Sequence, residues 1–80
     1  MNTWQRVPND HYPIPGLTMV EHAEFGRSVV DVFPDHGKWE IAVDGKVAAE
    51  VDDHDEALRE AEVDAWDSEA NTLYARRTRM

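Results

Sequence analysis

The 80-residue chain contains no cysteine, which removes both a disulfide framework and thiol chemistry from its repertoire. Its four glycines are scattered singly, so no glycine-rich phosphate loop is present. All four prolines fall within residues 1–34, and the rest of the chain is free of that helix breaker. Bases are scarce: eight Lys and Arg stand against seventeen Asp and Glu, for a formal charge of −9. A field this negative disfavours nucleic acid and acidic membranes as direct ligands and favours basic proteins or cations. No segment approaches the ~20 apolar residues of a membrane span. Met1-Asn2-Thr3-Trp4-Gln5-Arg6 lacks the apolar run of a secretory leader, so a cytoplasmic location is expected.

What is present is unevenly placed. Residues 1–49 carry seven acids and four bases, residues 50–75 carry ten acids and one base, and residues 76–80 add three Arg. Ten of the twenty residues from 50 to 69 are acidic, and Arg59 is their only base.

Residues 1–16 hold Pro8, Asn9, Asp10, Pro13, Pro15 and Gly16, and read as an extended N-terminal arm; a disordered arm is the competing reading. Trp4, Val7, Tyr12 and Ile14 are its candidate docking points on a core. Residues 17–80 then form a single α+β domain. Residues 17–25 and 28–33 read as strands joined at Gly26-Arg27, and Pro34-Asp35-His36-Gly37 as a turn. From Lys38 to Val51 the side chains alternate with period 2, which predicts a hairpin with one buried face. A two-residue Asp44-Gly45 turn would pair Trp39 with Glu50 and split that face. A three-residue Val43-Asp44-Gly45 loop pairs Ile41 with Val47, Trp39 with Ala49 and Lys38 with Glu50, and is preferred.

A helix follows at once. Asp53 is a good N-cap, Glu56 three residues later completes a capping-box pattern, and Asp55 and Glu56 suit the positive end of the dipole. Leu58, Ala61 and Ala65 share one face, flanked by Ala57 and Trp66. Asp53, Glu56, Glu60, Asp64 and Asp67 fall on the opposite side within an arc of about 80°. The helix is expected to continue through Ala70, Leu73 and Tyr74 to about Arg76; a break over residues 68–72 is the other reading. The expected core is Val30, Val32, Trp39, Ile41, Val47, Ala49, Val51, Leu58, Ala61, Ala65 and Leu73.

The carboxylate row is the main functional candidate. Glu56, Glu60 and Asp64 recur every fourth residue, ~6 Å apart along a helix axis. Successive phosphates on a nucleic-acid strand have comparable spacing. A groove lined by Lys and Arg would accept such a row, although like charges at i,i+4 cost a few tenths of a kcal/mol each. The other reading is a solvated outer face. Trp66, at the edge of the apolar stripe, is a candidate interface anchor beside the acids. The four histidines, His11, His22, His36 and His54, show no i,i+4 pair, and residues 52–56 lack the spacing of a calcium loop. No metal site and no cofactor are expected. Neither Ser28 nor Ser68 sits in a nucleophile motif, so no catalytic residue is assigned and enzyme activity is not expected.

The run Trp39-Glu-Ile-Ala-Val-Asp-Gly-Lys46, then residues 47–51, then Asp52-Asp-His-Asp-Glu-Ala-Leu58 and Ala61, resembles a small ββα module of short phage and prophage proteins. Compact, acidic, cysteine-free chains of this length also resemble anti-CRISPR proteins and nucleic-acid-mimicking phage inhibitors. The resemblance covers about residues 38–66, with motifs shared by proteins of unrelated role. It implies stoichiometric inhibition of a host defence complex in the host cytoplasm, without catalysis.

The resulting expectation is an α+β fold: about four mostly antiparallel strands and one long C-terminal helix packed on one face. The expected function is an acidic protein-binding inhibitor that occupies a basic nucleic-acid-binding surface, an anti-CRISPR blocking target DNA. The expected partner is a CRISPR–Cas complex or another basic nucleic-acid-binding protein, with the chain itself a monomer or weak dimer. A phage structural or assembly protein, or an antitoxin-like partner of a basic toxin, is the alternative.

Overall fold

Five antiparallel strands form a simple meander with one helix laid across it. The structure is a computed structural model that describes the backbone of residues 3–78 and the side chains of residues 3–68. The strands are β1 (Gln5–Pro8), β2 (Met19–Phe25), β3 (Ser28–Asp35), β4 (Lys38–Val43) and β5 (Lys46–Val51), in spatial order β1-β2-β3-β4-β5. The helix α1 spans His54–Thr78. This is the expected α+β domain with one strand more than the sequence suggested. The fifth is β1, inside the proline-rich arm, where it pairs antiparallel with β2 from Gln5↔His22 to Pro8↔Met19. An edge position tolerates Pro8, because a proline has no N–H to give to an outer neighbour.

Strands β2 to β5 are joined by two-residue turns. Phe25 pairs with Ser28, Asp35 with Lys38, and Val43 with Lys46. His36-Gly37 and Asp44-Gly45 have positive φ at both positions, the twist that matches a right-handed hairpin. The expected turn at residues 34–37 is therefore shorter than predicted, and Pro34 lies within β3 opposite Trp39. The β2–β3 pairing ends at Glu21↔Val32, so no β2 carbonyl needs the N–H that Pro34 lacks.

The β4–β5 register corrects the preferred one. The turn is the two-residue Asp44-Gly45, but a bulge follows. Ala42 pairs with Val47, Ile41 with Ala49, Glu40 with Glu50 and Trp39 with Val51, leaving Ala48 as the extra residue. One inserted residue restores the apolar face that an unbroken two-residue hairpin would have split. The correction has two consequences. Val47 turns to the face away from the helix and is 57 % exposed, not core. Lys38 bonds Asp52 (Nζ to Oδ1, 2.9 Å) and does not face Glu50.

Each face of the sheet has its own core. Ala23, Phe25, Val30, Val32 and Ile41 lie under Ala57, Ala61 and Ala65 of the helix, with Trp4, Trp39, Val43, Ala49, Val51 and Leu58 at the margin. The other face buries Val20, Phe33 and Ala42 under Val7, Tyr12, Ile14 and Leu17. The four docking points expected on the arm all pack on a core. Val20, Ala23, Phe25, Phe33 and Ala42 are core residues that the sequence reading did not name. The α1 backbone continues to Thr78, as expected; Leu73 falls outside the described side chains.

Candidate functional site

The helix starts where the sequence placed it. The Asp53 carboxylate accepts from the Glu56 N–H at 3.0 Å, and the Asp53 carbonyl accepts from the Ala57 N–H at 2.9 Å. Asp53 is thus occupied as an N-cap, and a carboxylate engaged there is less available to a partner. His54 then ties the first turn to the sheet. Its Nε2 bonds Glu21 of β2, and its ring lies 4.4 Å from that of Trp39.

Ala57, Ala61 and Ala65 are all fully buried, so the stripe against the sheet is centred on Ala61 and has Ala57 as a member, not a flank. Small side chains at three successive turns let the helix axis approach the sheet closely. Turning the stripe this way moves the carboxylate row from the opposite face to one flank of the helix, about 100° away. Glu56 and Asp67 are exposed, whereas Glu60 and Asp64 form the inner edge of the row and are half-buried. His54 and Trp66 both reach β2, through Glu21 and Phe25, so the acidic flank turns toward the β5 side.

Half-burial has an electrostatic result. The Asp64 carboxyl is pushed up to about 6, first by desolvation, then by a hydrogen bond with Glu60 and by the charges of Glu60 and Asp67. Asp64 therefore keeps its proton in mildly acidic solution. Glu56 and Asp67 are the row's most accessible members. Among the described residues, no Lys or Arg forms an ion pair with Glu56, Glu60, Asp64 or Asp67.

Trp66 is not part of this row. It is 48 % exposed on the outward side of the helix, its ring 6.1 Å from Phe25. Next to it, Val63 is 54 % exposed, and the two flank a shallow recess of about 460 Å³ with Arg59, Glu62 and Asp67. The sequence reading missed Val63, whose spacing of three from Trp66 was the available signal.

Two more polar clusters were missed because each is assembled across strands. On the arm-covered face, the Tyr12 hydroxyl donates to Asp31 Oδ2 at 2.6 Å, and His22 Nδ1 lies 2.8 Å from Asp31 Oδ1. Burial, then the bond to Asp31, pushes the Tyr12 hydroxyl well above its ordinary range. Asp31 faces His22 directly in the β2–β3 register, a relation visible only once that hairpin is aligned. On the same face, Glu40 opposes Glu50, and burial followed by the bond to Glu50 raises the Glu40 carboxyl. A cleft of about 390 Å³ near the helix start is lined by Arg6, Glu21, Trp39 and His54 among others. Among the described residues, no group of three or more His, Asp and Glu side chains is arranged to hold a metal ion, and no helix is long and apolar enough to cross a membrane.

Comparison with known proteins found no matching family model, no similar curated protein and no similar solved structure.

Proposed function

We propose that the protein is a non-catalytic binding protein whose acidic helix flank occupies a basic, nucleic-acid-binding surface of a larger protein. The observation that carries this reading is the row Glu56, Glu60, Asp64 and Asp67, unpaired with any Lys or Arg among the described residues and mounted on a helix fixed to its sheet by a buried alanine stripe. A rigid row presents charge without the ordering cost that a flexible acidic tail would carry on binding. Its ~6 Å repeat along the axis suits a groove built for phosphates. The specific partner proposed is a CRISPR–Cas complex in the host cytoplasm, with target DNA excluded by occupation of its binding channel, as in anti-CRISPR inhibitors.

The test is competition. The protein should displace target DNA from a purified CRISPR–Cas surveillance complex, and added salt should weaken it steeply. The triple variant Glu56→Lys, Glu60→Lys, Asp67→Lys should keep a native circular dichroism spectrum and lose displacement. Displacement that survives charge reversal would sink the mimicry mechanism. Absence of binding to any such complex would remove the anti-CRISPR reading.

One observation favours a second reading. Val63 and Trp66 form an exposed apolar patch distinct from the acids, as an assembly protein, structural or antitoxin-like, would use.

A further inference from the structure

The two edges of the sheet differ. The β1 edge is four residues long and ends in Pro8, which has no N–H to offer an added strand. The β5 edge is six residues long and free of proline. Every second residue of an antiparallel strand turns both its N–H and its C=O away from its neighbour. Among the described residues, no strand or loop backbone bonds that outer row of β5. Lys46, Val47, Ala48 and Glu50 are exposed along it. The Ala48 bulge interrupts the ladder near its start, and pairing is regular from Ala49 to Val51.

We propose that this open edge takes up a sixth strand, an extended basic segment of the partner protein in which Lys or Arg alternates with other residues. The proposal rests on the reading of the acidic flank as a protein-binding surface, and names the shape of what that flank meets. Charge selects the occupant on both faces of the edge. On the helix side, Glu56, Glu60, Asp64 and Asp67 lie on the flank that turns toward β5, and among the described residues no Lys or Arg pairs with them. On the other side, exposed Glu50 stands opposite Glu40. Spacing agrees with charge. α1 begins just beyond the end of β5 and runs back along the sheet, from Glu21 and Trp39 at His54 to Phe25 at Trp66. A strand laid beside β5 presents side chains to the helix every ~6.7 Å, and the carboxylates recur every ~6 Å. Over Glu56, Glu60 and Asp64 the mismatch grows to only ~1–2 Å, within the reach of a Lys or Arg stem. Lys46 is the one base of β5 and lies at the end away from the helix start, so the match is best beside Glu50, Glu56 and Glu60. Backbone bonds to the edge supply what charge alone lacks, a fixed register.

The test uses the whole chain and a peptide as long as β5 that alternates lysine with threonine. Two derivatives keep its charge: one is N-methylated at every lysine, the other at every threonine. N–H groups point alternately to the two sides of a strand, so only one of these sets faces β5. A chemical-shift titration at low ionic strength should place the unmodified peptide along residues 46–51. One derivative should bind about tenfold more weakly than the other, through the loss of its backbone bonds. No binding of the unmodified peptide, shifts that avoid residues 46–51, or equal binding of the two derivatives would each overturn the proposal. DNA displacement that fails while the derivatives still differ would strike the phosphate-channel reading and leave the edge. Displacement that holds while they bind alike would strike the edge alone.

Discussion

The two faces of the sheet are closed by different physics. One is covered by a regular helix whose contact stripe is three fully buried alanines, so its cohesion is apolar area at close approach. The other is covered by an irregular loop held by polar bonds. Asn9 donates to the Tyr12 and Leu17 carbonyls at 2.8 Å each and accepts from the Tyr12 N–H at 2.8 Å, while Tyr12 reaches down to Asp31. A loop of this kind has no repeating hydrogen-bond ladder, so one side chain must satisfy its backbone. The comparison shows why the helix can serve as a presentation surface. Its fixation uses the inner stripe together with the His54–Glu21 bond and the Trp66–Phe25 contact, and its acidic flank is left for partners.

The largest expected effect is the loss of the apolar cohesion itself. Ile41 is fully buried on the helix-covered face. Ile41→Ala should destabilise the fold by about 3 kcal/mol, from lost transfer energy plus an unfilled cavity. Denaturant titration should show a lower midpoint with an unchanged slope, since the sheet is shared and both faces unfold together. A loss well under 1 kcal/mol would mean that the helix closes over the site, and that the close alanine contact is not a constraint.

A smaller effect should separate the two coverings. Tyr12→Phe keeps the ring, which lies 4.4 Å from that of Phe33, and removes the hydroxyl from Asp31. The cost should be about 1–2 kcal/mol, because a partly buried carboxylate loses a charge-assisted donor. Hydrogen exchange should quicken over residues 9–17 before it changes in α1. Equal acceleration in both would show that the arm is an integral part of the core and not a separately opening cover.

The sequence made most of this architecture legible, and the gaps have a common cause. Helix start, helix continuation and the three tight turns rest on local chemistry: Asp53 as a cap, an unbroken run without proline, and Gly26, Gly37 and Gly45 at turns. The Ala48 bulge is not local. It reconciles the two-residue Asp44-Gly45 turn, which the sequence reading set aside for a three-residue loop, with the apolar alternation; Val47 was misplaced as a result. Pro34 argued for a turn and sits in a strand because the neighbouring ladder had already ended. Of the candidate site, Asp53, Glu56, Glu60, Asp64 and Asp67 do share one side of the helix. Angles alone could not show that Ala57 belongs to the buried stripe, which places Asp64 at the rim and Trp66 on another side. The Tyr12–Asp31–His22 cluster depends on strand pairing and loop return, neither of which spacing encodes.

The smallest effect concerns the rims of the two faces, each of which ends in a carboxyl pair: Glu60 with Asp64 beside the helix, Glu40 with Glu50 on the other side. In the folded state Asp64 binds its proton up to about 6, against an ordinary value of 3.8. A raised acid favours the fold while protonated, so its contribution is complete below its unfolded value and disappears as pH rises through about 6. Asp64→Asn removes the charge and keeps the shape. It should therefore stabilise the protein at neutral pH by roughly 1 kcal/mol once solvent screening is discounted, and have almost no effect near pH 4. Thermal melts across that range would show the wild-type curve falling toward neutrality and the variant curve flatter. The residual slope in the variant would report the Glu40–Glu50 pair, whose raised carboxyl has the same sign. A variant that loses stability at neutral pH would instead mean that the charged Asp64 is held by a favourable contact, and that the acidic flank is built to be ionised even at its inner edge.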